Sequence, residues 1–488
     1  MAEDLREDII ATKNQKLETL SKAFSVVYPE KNGRSHTNQQ ALDGFDKFVK
    51  NEEILTLVGR VRSLRIIGKI GFAHIEDGDA KIQVFLNLQV LGDEKFKLFV
   101  DTIETGDFIE VTGKLFLTKK EEKTLEVSDW KILGKSMRPI PTEFYGLKDE
   151  EELLRRRYLD LLANPETRDL FRKKNIFWQT VRNTLVDEGF LEVQTPVLEH
   201  VPGGADAEPF ITHHNALDQD FYLRISLELH LKRLLVGGFE KVFEIGRLFR
   251  NEGIDREHLQ EYDDVEFYWA YGDLDKGIAL TEKMIKAIVF NVMGSYQTTF
   301  EGETIDWGQT YPRVDYFTEF EKETGINLSD DVTVQDLKKK ADELDIKYEN
   351  SYGKGRMIDT IYKKTVRQRL IQPCILVGHP IEVSPLSKID PTNPRKVLRA
   401  QLVAVKSELT NSFAELNDPM EQRRRFEEQM KLREDGDSEA QMIDEDFLQA
   451  LEYGMPPAFG FGMSERLFAI LMNRSIRETV IFPPMKSK

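Results

Sequence analysis

A chain of 488 residues is too long for one ordinary hydrophobic core and predicts two or three domains. With 40% hydrophobic and 31% charged residues it reads as a soluble globular protein; no apolar run suits a membrane span, and the acidic start Met1-Ala2-Glu3-Asp4 argues against a secretory signal. The net charge of −17 disfavours nonspecific nucleic-acid binding but leaves room for a local basic surface, and the single Cys374 excludes an internal disulfide and a thiolate zinc cluster.

Residues 1–50 are polar with helical spacing at Leu17, Leu20 and Ala23, and predict a helical extension. Residues 51–136 change to short β-like runs, beginning at Ile54, Gly71, Lys81, Asp107 and Thr124, separated by glycine turns. Five such strands in so short a span predict a small barrel of the oligonucleotide-binding (OB) type. Met137-Arg-Pro-Ile-Pro-Thr stiffens a linker placed at 137–149. From 150 to 488 the pattern is mixed. A charged helix covers 150–158, and a second from Asn175 leads into Gly189-Phe-Leu-Glu-Val-Gln-Thr-Pro196, read as a strand. Further strands are expected at 221–225, 241–250 and 264–271, and a charged, mostly helical insertion at about 273–370. Strands with little βαβ alternation predict an antiparallel sheet, so the fold class is α+β. Cys374, in the apolar run Pro373-Cys-Ile-Leu-Val, is expected in a buried strand.

No G-x-x-x-x-G-K-[ST] loop is present, and Gly460-Phe-Gly462 lacks the rest of a dinucleotide fingerprint. A phosphate site here must therefore rest on arginine, carboxylate and metal. The segment Phe249-Arg250-Asn251-Glu252-Gly253, followed by His258, Tyr262, Glu266 and Tyr268, supplies that combination. A strand–loop–strand would set Arg250 and Glu252 on one face, and a guanidinium can grip a phosphate through two parallel donors. Tyr262 offers a flat face for a base.

This segment resembles motif 2 of the class II aminoacyl-tRNA synthetases. Gly189–Pro196 is similar to motif 1, which builds a dimer interface, and Gly460-Phe-Gly-Met-Ser-Glu-Arg466 to motif 3. Within the class the resemblance narrows to the lysyl-tRNA synthetases. It is carried by Arg156-Arg-Tyr-Leu-Asp-Leu-Leu-Ala-Asn, Pro209-Phe-Ile-Thr-His-His-Asn-Ala-Leu-Asp, Glu382-Val-Ser-Pro-Leu and Phe413-Ala-Glu-Leu-Asn-Asp. The resemblance implies an OB-fold anticodon-binding domain and a catalytic domain built on an antiparallel sheet flanked by helices. It implies ATP and Mg²⁺ as cofactors, L-lysine and tRNA(Lys) as substrates, a cytoplasmic homodimer and no membrane partner. Carried over by position, Arg250 and Arg466 are catalytic; ATP is bound by these two with Glu252, His258, Tyr262 and Glu408. Lysine is bound by Glu228, Glu266, Tyr268, Asn411, Phe413 and Glu415, and the anticodon by Arg60, Phe72 and Gln83. A lysine side chain needs carboxylates for its ammonium and an aromatic wall for its stem, which that set supplies. The aspartyl relatives would require arginine where Glu266 and Glu415 stand.

Two positions depart from the family pattern. The metal is expected on Glu408, but the second acidic ligand, seven residues earlier, is replaced by Gln401. Motif 3 has one extra residue before Arg466, and a bulge in its strand is expected to restore the arginine. Two alternatives share the resemblance: a paralogue that ligates lysine to a protein, which would lack the barrel, and a non-catalytic synthetase-derived binding protein.

Overall fold

The strand Ile54–Ile67 shows why the first half of the chain closes into a barrel. Its side chains alternate over most of its length, with Leu55, Leu57 and Val61 buried and Thr56, Val58 and Arg60 turned outward. In the computed structural model, which describes residues 2–78, 80–140, 149–253, 258–434 and 441–486, it pairs with Ile70–Glu76 on one side and Phe108–Leu117 on the other. Lys81–Asn87 and Lys123–Gly134 complete the closed five-stranded barrel through a single parallel pairing. At the register shift between Thr112 and Gly113 a Cβ on Gly113 would run into the Glu126 carbonyl, so glycine permits the close crossing. The helix Asp93–Thr102 plugs the barrel with Phe96 and Phe99, the latter edge-on to Trp130 at 5.1 Å. The N-terminal helices add Leu20, Ala41, Phe45 and Phe48 to the same core. Residues 141–148 of the expected linker lie outside the described residues.

The chain divides into two units, Met1–Leu147 and Lys148–Lys488. The second is organised by a sheet whose strand order is Arg313–Asp315, Cys374–Val377, Arg399–Ala404, Asn411–Ala414, Ala458–Ser464, Glu261–Ala270, Lys241–Phe249 and Leu191–Glu192, with Ser407–Glu408 paired at the side. The first and last pairs are parallel and the rest antiparallel. The strand expected over 189–196 is two residues long, and Val193 makes one further backbone bond to Phe243 before the chain leaves the sheet.

Alternation along Glu261–Ala270 separates the two faces of this sheet. Val265 and Phe267 turn into the core, where Phe267 stacks on Phe461 at 4.8 Å. The helices Pro165–Asp187 and Leu274–Met293 cover that face; the second opens the segment read as an insertion yet packs in the main core, with Gly277 against the Phe459 ring. The rest of that segment forms a separate cluster around Tyr316, Phe320, Met357 and Tyr362. Cys374 joins that cluster, and burial pushes its thiol up to about 12, as befits a packing residue. The opposite face of Glu261–Ala270 presents Asp264, Glu266 and Tyr268.

Candidate active site

Those three side chains stand in the wall of a cavity of about 560 Å³ in the second unit. The antiparallel register sets Gly462 opposite Glu266 and Gly460 opposite Tyr268, so the neighbouring strand offers backbone where larger residues would fill the space. A Cβ on Gly460 would collide with the Glu415 carboxylate and the Tyr268 ring. Asn411 and Phe413 close this side from the next strand, paired with Gly462 and Gly460. Glu228 enters from the first turn of the helix Glu228–Val236.

The acidic groups are held in different ways. Glu266 accepts hydrogen bonds from the Ser226 hydroxyl, the Leu227 amide and the Tyr268 hydroxyl, each at 2.8 Å. Burial raises its carboxyl above the usual range against these donors. Glu228 is pushed up to about 7, chiefly by burial, with Lys232 acting the other way. Glu415, 1% exposed, lies behind Gly460 and Phe413 and outside the cavity wall, paired with Lys232.

Toward the other end the wall becomes basic. Arg250 ends the strand Lys241–Phe249, its amide bonded to the Gln260 carbonyl at 2.8 Å and its guanidinium 5.6 Å from the Tyr262 ring centre. Among the described residues its side-chain bonds to the Ile225 carbonyl, at 3.3 and 3.4 Å, are long, which leaves donors for an anion. Glu252 and His258 line the same end, while residues 254–257 of the intervening loop lie outside the described residues.

Arg466 also faces the cavity, donating to the Glu408 carbonyl at 3.3 Å. The bulge expected before it is absent: Ala458–Ser464 pairs with Glu261–Ala270 without a register shift. The strand runs to Ser464, and after the single turn residue Glu465 the helix Arg466–Leu471 begins with Arg466 at its first position. That placement aims the side chain back across the strand end, so no bulge is required.

Sequence reasoning did not single out Asp264, Lys232 or Arg399. Asp264 could have been found, because it precedes Glu266 and Tyr268 at the strand's period of two. Arg399 is placed in the wall by bonds to Asn411 Oδ1 at 2.8 Å and to the Val383 carbonyl at 2.8 Å.

In the first unit, Arg60, Phe72 and Gln83 share the outer face of three adjacent strands, by the pairs Arg60–Glu76, Phe72–Phe85 and His74–Gln83. The Phe72 and Phe85 rings lie 5.0 Å apart and neither belongs to the barrel core. Arg60 lies over Phe108 at 4.2 Å, and Gln83 is engaged with Glu122 at 2.7 Å and Thr124 at 2.8 Å.

Comparison with known proteins agrees with this arrangement. The family described as tRNA synthetases class II (D, K and N) matches residues 149–486, and the OB-fold nucleic acid binding domain family matches residues 55–133. A lysine–tRNA ligase of Halalkalibacterium halodurans is 41% identical over 100% of this chain and 99% of its own length. The chain belongs to the lysine–tRNA ligase family of class II synthetases. The lysine–tRNA ligase of Bacillus subtilis is 41% identical over 93% of this chain and 92% of its own, and that of Roseiflexus castenholzii 43% identical over 97% of each. The chain carries the barrel whose absence is expected of a protein-directed paralogue. Among the described residues no helix is long and apolar enough to cross a membrane.

Proposed function

We propose that the protein activates L-lysine with ATP and transfers it to the 3′ end of tRNA(Lys) in the cytoplasm. The observation that carries this reading is a single cavity with buried carboxylates at one end and Arg250 and Arg466 at the other. The lysine carboxylate attacks the α-phosphorus of ATP and pyrophosphate leaves; a terminal ribose hydroxyl of the tRNA then attacks the adenylate carbonyl and AMP leaves. Arg250 stabilises the charge that develops on the α-phosphate, Tyr262 and His258 border the nucleotide with Glu252, and Arg466 takes the departing end. Glu228, Glu266, Tyr268, Asn411 and Phe413 receive the amino acid. With ATP, isolated tRNA and labelled lysine, label is expected to become acid-precipitable; precipitation without ATP, or none with it, would defeat the reading.

The residues present fit a phosphate-bound Mg²⁺ held by one protein carboxylate. Glu408 lines the cavity, whereas the Gln401 amide oxygen lies 2.8 Å from His379 Nε2 and its nitrogen 3.4 Å from Glu408. Burial lowers His379 to about 3, so it is neutral and occupies that amide. Glu408 would hold the ion, which when bound supplies charge neutralisation on the phosphates. Among the described residues no group of three acidic, His or Cys side chains converges as a metal cage.

A pH limb follows from Glu228. A raised carboxyl is protonated below its pKa and then cannot oppose an ammonium. kcat/KM for lysine is therefore expected to fall about tenfold per pH unit below about 7 at saturating ATP, and Glu228→Gln to remove that limb.

The outer face of the barrel supports an anticodon contact through base stacking on Phe72 with Arg60 alongside. Phe72→Ala is expected to raise KM for tRNA(Lys) by ~5- to 100-fold, with exchange of pyrophosphate in the absence of tRNA unchanged. Homodimerisation is supported by the exposed apolar residues Ile176, Val186, Leu191, Leu198, Ile211 and Leu217, concentrated in one stretch of chain. Leu191→Glu with Leu198→Glu is expected to shift the mass in sedimentation from two chains to one.

A further inference from the structure

We propose that Lys232 is a positioning residue of the amino-acid pocket: an internal ammonium that fixes Glu228 and Glu415 as a pair of anions, so that the pocket is completed by the two ammonium groups of one free lysine. The inference rests on the reading of this cavity as the lysine site.

Lys232 lies one turn after Glu228 on the same helix and is fully buried. Its Nζ is 2.5 Å from Glu228 Oε1 and in contact with Glu415 Oε2, and it lies 5.4 and 5.9 Å from the Phe413 and Phe447 ring centres. A lysine that only filled space would be replaced at little cost by an apolar residue. This one joins two carboxylates brought from distant parts of the chain, and a buried anion deprived of its partner is costly. Lys232 thus answers Glu415 behind the wall and Glu228 beside it, while Glu228 and Glu266 face the cavity. An L-lysine zwitterion brings an α- and an ε-ammonium.

The groups facing this cluster are accounted for on each packed element. The strand Glu261–Ala270 presents Glu266 and Tyr268, and Arg399 acts on Glu228 from its own strand. Glu244 on Lys241–Phe249 is paired with Arg224 at 2.7 Å, and Arg233 on the Lys232 helix is paired with Asp444. Burial works to lower the Lys232 ammonium, but Glu228 and Glu415 hold it above its usual range, so it stays charged. Removing it takes away the nearest counter-charge of the two carboxyls, which then hold protons to higher pH.

The test is amino-acid-dependent exchange of pyrophosphate into ATP by the full chain and by Lys232→Met, across pH 6 to 9, with circular dichroism as the fold check. The variant is expected to raise KM for lysine at least ~10-fold at neutral pH, the change that one pKa unit of lost ionisation produces. KM for ATP should stay unchanged, and the acid limb of kcat/KM should move to higher pH. A wild-type lysine KM and an unmoved limb in folded Lys232→Met would overturn the proposal, as would equal rises in both KM values. If Lys232→Met does not fold, Lys232→Arg is read instead: it keeps the charge and is expected to keep the limb in place, and a displaced limb would overturn the proposal. Failure of the unaltered chain to respond to lysine would sink the site reading itself, whereas failure confined to the Lys232 variants sinks only this inference.

Discussion

Arg250→Ala is expected to slow lysine-dependent exchange of pyrophosphate into ATP by about 10²–10³-fold, the loss that follows removal of one preorganised donor to developing negative charge. The strand Lys241–Phe249 fixes the backbone of Arg250 through its pairing and the bond to Gln260, so the guanidinium has one approach to the cavity. Among the described residues its side chain donates long bonds to the Ile225 carbonyl, which leaves its fork for a phosphate. Arg250→Lys keeps the charge and loses the two-pronged geometry, and should fall between the two. Because little of the fold hangs on those long bonds, the thermal midpoint of Arg250→Ala should stay within a few degrees of the unaltered protein. Steady-state exchange and a thermal melt on the same samples check both statements.

The second large effect is expected at Glu266. Glu266→Gln preserves the shape of the side chain and removes a buried charge held by Ser226, Leu227 and Tyr268. Loss of one member of a buried charge pair costs about 2–5 kcal/mol, which corresponds to a rise in KM for lysine of ~30-fold or more. KM for ATP should move by less than about threefold, because Arg250 and Arg466 bind the phosphates independently of this carboxylate. A rise shared equally between the two substrates would show that Glu266 supports the whole cavity rather than the amino acid.

The barrel was legible from sequence because each of its strands carries its own alternation and ends at its own turn, as in Leu55, Leu57 and Val61 against Thr56 and Arg60. Most of the residues proposed for the phosphates and for lysine were named through motifs, which record local geometry, and they line one cavity. What escaped was set by contacts far apart in the chain. Lys232 stands in Leu231-Lys-Arg-Leu-Leu as an ordinary polar position on a helix, and only packing beneath Phe413 and Phe447 buries it. The strand over 189–196 shortened to Leu191–Glu192 because, among the described residues, it pairs on one side, with the edge of Lys241–Phe249. Before Arg466 the extra residue suggested a bulge, but the ladder runs without a register shift to Ser464 and the helix starts after Glu465. Gln401 shows the converse: the residue was visible as a departure, whereas its engagement with His379 depends on a chain segment more than twenty positions away.

The choice of amino acid is the central claim, since the family model that matches residues 149–486 covers the D, K and N synthetases together. It is tested most directly by measuring exchange of pyrophosphate into ATP with lysine, aspartate and asparagine supplied separately to the same enzyme. Lysine alone should support exchange, with the other two at the level seen without amino acid. Exchange driven by aspartate or asparagine would contradict the assignment of Glu228 and Glu266 to the binding of ammonium groups.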